Sequence, residues 1–129
     1  MKFDEIYNEI LEVIEEVNDL IWKEKVILQL SDKNIDTFRK LRREMGITLK
    51  DFEEEVLEAI KKLKASNYYQ GPDSDYNTER NFIFWKFGTQ IFKKEIYLKF
   101  SIQEKNDDKI IVIWSCHFPE YKINYPFKE

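Results

Sequence analysis

Apolar residues recur at three- and four-residue spacing at the start of the chain. Phe3, Ile6, Tyr7, Ile10, Leu11, Ile14, Val17 and Ile21 share one face of a helix, and acidic residues fill the other. Such a stripe predicts a surface helix packed on a core, with a partner-binding or dimer helix as the alternative. The period then changes. Lys25-Val26-Ile27-Leu28-Gln29-Leu30 is short, apolar and β-branched, and reads as a strand. Ser31 or Asp32 can cap the next helix, whose expected inner face is Ile35, Phe38, Leu41 and Met45, with Gly46 as its stop. Thr48 with Asp51 three residues on is a variant capping box. It opens a third helix with Leu49, Phe52, Val56, Ile60 and Leu63 inside.

Tyr68 to Asn77 is rich in turn formers and reads as a polar loop. Three strand-like runs follow, Phe82–Phe87, Glu95–Gln103 and Lys109–Cys116. In the second, Ile96, Leu98, Phe100 and Ile102 alternate with Tyr97, Lys99 and Ser101. The connections, from Gly88-Thr89-Gln90 onward and at Lys105–Asp108, suit antiparallel hairpins. The predicted fold is α+β, in the order α-β-α-α-β-β-β. An antiparallel sheet of about four strands carries helices on one face. The 129 residues fit one domain, 1–129, with residues 1–23 as an added N-terminal helix.

Composition narrows the function. The chain is 43% hydrophobic and carries ten Phe and seven Tyr, enough for one sizeable core. Nothing approaches membrane-span length and the N-terminus turns acidic at once, so a cytoplasmic protein without a membrane partner is expected. The single cysteine, Cys116, excludes an internal disulfide and a cysteine zinc site. No histidine pair offers a metal site, and no Gly-rich phosphate loop is present, so neither cofactor nor metal is expected. The Asp73/Asp75 pair reads as turn-forming. The net charge of −4 comes from residues 1–64, with 12 basic and 16 acidic side chains; residues 65–129 balance at 9 and 9. A local basic face on the second half is therefore compatible with the overall acidity.

The polar residues of the last strands offer chemistry. Tyr97 and Lys99 point to one face, Lys86 and Arg80 belong to the preceding strand region, and His117 follows the most hydrophobic strand. An imidazole, a phenol and cations suit metal-free RNA cleavage. The ribose 2′-hydroxyl loses a proton and attacks phosphorus, and the 5′-oxygen gains a proton. Cations stabilise the extra phosphorane charge, and aromatic rings stack on unpaired bases. The plainer alternative is a structural histidine at a strand end beside a solvated sheet face.

Five stretches carry a family likeness. They are Lys33-Asn34 with Met45-Gly46-Ile47-Thr48; Asn67-Tyr68-Tyr69-Gln70-Gly71-Pro72 followed by Asp75; Trp85-Lys86-Phe87-Gly88; Ile96-Tyr97-Leu98-Lys99; and Ser115-Cys116-His117 with the tail Asn124-Tyr125-Pro126-Phe127. In this order they resemble the MqsR family of type II toxin–antitoxin mRNA interferases, which share the RelE-like fold. The resemblance implies an endoribonuclease toxin acting on mRNA, with or without the ribosome, and neutralised by a cognate antitoxin. It implies His117, Tyr97 and Lys86 as catalytic residues. Lys99, Gln70, Arg80, Tyr69 and Trp85 would bind substrate. The best-known member has Lys, Gln and Lys where this chain has Gln70, Lys86 and His117, a redistribution of charge. The competing class is a non-catalytic protein-binding module on the same fold, such as a phage-type inhibitor, for which the acidic first helix is the argument.

Overall fold

The computed structural model describes residues 3–74 and 82–128, without the side chain of Phe3. Three helices, α1 (Phe3–Trp22), α2 (Asp32–Met45) and α3 (Leu49–Lys61), lie with five strands, β1 (Val26–Leu28), β2 (Tyr68–Ser74), β3 (Ile83–Ile91), β4 (Lys94–Lys105) and β5 (Asp108–His117). The strand order across the sheet is β1-β5-β4-β3-β2. No described helix is long and apolar enough to cross a membrane.

The α+β class and the helix order match expectation, but the sheet has five strands and is mixed. The first correction is β2, expected as loop. It pairs antiparallel with β3 despite Gly71 and Pro72, because it is an edge strand, where a missing donor and two register shifts are tolerated. The loop expectation for residues 75–77 lies outside the described residues. The second correction is β1, which pairs parallel with β5 (Val26 with Ile111, Leu28 with Ile113). Residues Gly88–Ile91, expected as a connection, continue β3. The turns are Phe92-Lys93 and Asn106-Asp107, each pair at positive φ as a two-residue hairpin turn of type I′ requires.

The helices begin and end where their caps dictate. Ser31 accepts from Asn34 N, Thr48 and Asp51 exchange both capping-box bonds, and Gly46 closes α2 at φ 67°. In α3 the predicted Phe52, Val56, Ile60 and Leu63 are buried. On α1 the buried line is Ile10, Val13, Val17, Leu20 and Ile21, so the stripe is rotated from the expected one and Tyr7 and Leu11 stay exposed. On α2 the buried residues are Asn34, Thr37, Phe38 and Leu41, with Met45 outside. Two of those four are polar, and the reason emerges at the site below. Core residues of α1 and α3 join Trp85, Phe87, Ile96, Leu98, Phe100, Ile111, Ile113 and Cys116 from one face of the sheet.

The other face is not fully open. Residues 119–125 cross it as a strap. Ile123 is buried, Tyr125 packs against Gly88 and donates to Glu95 (2.8 Å), and beyond them Phe127 reaches the helix side, where it meets Tyr68 and Tyr7. A methyl group at Gly88 would come 2.1 Å from Tyr125 Oη and 2.8 Å from its ring. Gly88→Ala is therefore expected to displace Tyr125, the mobile partner, and leave the core intact. Limited chymotrypsin digestion should cut after Phe127, since Pro126 blocks cleavage after Tyr125, at least several-fold faster in the variant with an unchanged circular dichroism spectrum. An unaltered cleavage rate would contradict the strap's seating.

A candidate active site under the strap

The sheet register decides which polar groups meet. Tyr97 pairs directly with His117 across β4 and β5, Gly88 with Tyr97 across β3 and β4, and Gln70 with Lys86 across β2 and β3. Because alternate residues share a face, these side chains rise on the side away from the helices. The strap roofs them. The result is a cavity of about 230 Å³ lined by Tyr69, Gln70, Lys86, Tyr97, His117 and strap residues Pro119 to Ile123. Of the eight residues singled out from the sequence, five therefore line one space.

The other three do not. Trp85 is a correction. Adjacent residues of a strand face opposite ways, so beside Lys86 it must point to the helices, where it is 9% exposed and meets Tyr68 edge-on at 6.3 Å. Lys99 shares the site's face and pairs in register with Lys86, but its ammonium lies 4.7 Å over the Phe84 ring, outside the cavity. Arg80 lies outside the described residues.

His117 is nearly buried, 6% exposed, and its Nδ1 is 2.9 Å from the Phe118 carbonyl oxygen. A carbonyl only accepts, so Nδ1 carries the proton and Nε2 is the lone-pair nitrogen of the neutral ring. The ring centroid lies 5.3 Å from that of Tyr97, which in turn meets Tyr69 edge-on at 6.5 Å. Burial first, and then the surrounding negative groups, push the Tyr97 phenol up to about 12. Tyr97 is therefore a neutral O–H donor at any physiological pH. Lys86 is 3.1 Å from Asp73 Oδ2 and 3.3 Å from Gln70 Oε1. Asp73 Oδ2 is sealed from solvent and accepts no hydrogen bond, so this ionic contact is its compensation. Glu120, on the strap, is held by Lys33 of α2, which together with His117 lowers its carboxyl below the usual range.

The polar face of α2 explains how His117 is held. The bulge between Lys99 and Phe100 leaves Trp114 without a ladder partner, and β1 ends before reaching it. Asn34 takes over as a surrogate strand. Its Nδ2 donates to Trp114 O (3.2 Å) and Gln29 O (2.7 Å), and its Oδ1 accepts from Cys116 N (2.9 Å). Thr37 Oγ1 then accepts from Phe118 N (3.0 Å). Each is a buried backbone group that must find a partner. Sequence reasoning missed Thr37, Asp73 and Glu120 as parts of the site. Asn34 carried a signal, through the Lys33-Asn34 pair at the start of α2. For Glu120 no signal was available, since only the strap's path brings it beside His117. Among the described residues no group of three His, Cys, Asp or Glu could hold a metal ion.

Asn34→Ala strands the buried Cys116 N–H and two part-buried carbonyls, and is expected to cost about 2 kcal/mol or more, read as a lower urea midpoint with unchanged slope. A cost under about 1 kcal/mol would remove Asn34 from its role. Tyr97 gives a pH test. Its folded value exceeds the unfolded one near 10, so its contribution is intact below pH 10 and is lost as pH rises toward 12. Tyr97→Phe should therefore flatten the fall in stability over pH 10–12; an unchanged slope would contradict the burial of the phenol. No protein-family model matches the chain, and no curated protein or solved structure shows detectable similarity to it.

Proposed function

We propose that this chain is an endoribonuclease of the RelE-like, MqsR kind, the toxin of a type II toxin–antitoxin pair, cleaving mRNA in the cytoplasm without a metal ion. The observation that carries the reading is the juxtaposition of His117, Tyr97 and Lys86 in one roofed cavity with the His117 tautomer set by Phe118 O. In this mechanism Nε2 of neutral His117 takes the proton of a ribose 2′-hydroxyl. The 2′-oxygen attacks the adjacent phosphorus. Lys86, released from Asp73, stabilises the extra negative charge of the phosphorane. Tyr97 gives its proton to the departing 5′-oxygen and recovers one from the His117 imidazolium. The products are a 2′,3′-cyclic phosphate and a 5′-hydroxyl, and DNA is inert because it lacks the nucleophile. Tyr69 and Gln70 supply stacking and hydrogen bonding to a base. A cognate antitoxin would silence the protein, and the ribosome is a candidate presenter of the substrate.

One observation favours a second reading, a non-catalytic protein-binding module. Lys86 is already neutralised by Asp73, and α1 is strongly acidic. Induced expression with mapping of RNA ends separates the two. The wild type should arrest growth and leave cyclic-phosphate ends. His117→Ala should lower cleavage by about 100-fold or more and Lys86→Ala by a comparable factor, with the fold retained. Equal cleavage by wild type and His117→Ala, or none by either, would sink the nuclease reading.

A further inference from the structure

Most lysines of this acidic protein are spoken for. Lys23, Lys25, Lys33, Lys40, Lys50, Lys61, Lys86, Lys94 and Lys109 each lie within 4.0 Å of a carboxylate. Lys62, Lys64 and Lys128, like Lys93, Lys105 and Lys122, do not among the described residues, and the first three are exposed and line a single groove. Its one carboxylate, Glu95, is occupied by the Tyr125 hydroxyl. Three lysine charges against the single carboxylate of Glu95 leave the groove net positive, which raises the local potential and favours a polyanion.

The groove's position gives that polyanion an identity. Apart from β5, the segments that line the cavity also line the groove, two residues away along the chain. Tyr69 belongs to the cavity and Asn67 to the groove. Lys86 and Gly88 divide in the same way, as do Tyr97 and Glu95, and Ile123 and Tyr125. Two residues of a strand span about 7 Å, so groove and cavity adjoin. The groove floor is fixed, because Asn67 donates to Gly88 O (3.0 Å) and accepts from Lys64 N (2.9 Å). Hydroxyl and amide groups of Ser66, Thr89 and Gln90 stand beside the lysines, the mixture that binds phosphate and sugar without reading sequence.

We infer that this groove binds the phosphodiester backbone of the single-stranded RNA flanking the cleavage position, with Lys62, Lys64 and Lys128 as its phosphate contacts. The inference rests on the nuclease reading for the choice of RNA. It explains how a protein of net charge −4 holds a polyanion: three cations cluster along one groove.

The test is the salt dependence of binding to a fluorescent oligouridine whose 2′-hydroxyls are methylated, so that it cannot be cleaved. Each phosphate contact on a single strand contributes about 0.7 to the slope of log affinity against log salt. Changing Lys62, Lys64 and Lys128 together to Gln should flatten the slope by about 2 and weaken binding about tenfold or more at moderate salt. A charge-matched control, Lys23→Gln with Lys40→Gln and Lys50→Gln, should change the slope by less than half as much. Equal slopes for wild type and the groove variant would overturn the inference, as would no RNA binding by wild type at low salt, or lysine-dependent capture of an acidic peptide in place of RNA. Failure of the nuclease reading looks different: the groove variant loses RNA affinity while cleavage is indifferent to His117.

Discussion

The buried side chain of Asn34 organises the working end of the molecule. A sheet strand that loses its neighbour exposes N–H and C=O groups, and inside a core these must be met. β1 is only three residues long, and β5 outruns it. A longer β1 would satisfy β5 but would also straighten it. The amide of Asn34 instead accepts and donates at once, which lets the Trp114 bulge persist and the chain turn at His117. Thr37 and Lys33, on neighbouring turns of the same helix, then fix Phe118 and Glu120. The first turns of α2 thus hold the catalytic candidate, the carbonyl that sets its tautomer and the start of the roof.

Local chemistry was legible in the sequence wherever a side chain acts on its own backbone. The caps Ser31, Thr48 and Gly46 did so, and the alternation in β4 correctly separated Tyr97 from Leu98. Edge effects were not legible. The turn formers of β2 suit an unpaired margin as well as a loop, and parallel pairing of β1 depends on β5 offering it a free edge. The rotation of the α1 stripe follows from where α3 and β5 press on it, a tertiary fact. The polar positions Asn34 and Thr37 broke the expected apolar face of α2 because they serve β5.

The candidate site divides along the same line. Tyr97, Lys86 and His117 could be listed from strand parity, and their convergence follows from antiparallel register. Trp85 was misassigned because aromatic character alone does not say which face a strand residue takes, whereas its adjacency to Lys86 does. Asp73 and Glu120 are invisible to periodicity, since both act on groups far away in the chain. Their charges temper the cavity by pairing Lys33 and Lys86, while three lysines without an ion pair line the adjoining groove.

The pairing of Val26 with Ile111 has a kinetic side. One edge of the sheet joins an early strand to β5, and Asn34 waits for Trp114 and Cys116. Such distant partners meet only after a large loop closes, which slows folding relative to local contacts. On a translating ribosome the hairpin β3–β4 can form early, but the cavity, its roof and the groove all need residues beyond 113. Anything that depends on the cavity or the groove therefore waits until residues 114–128 have left the exit tunnel.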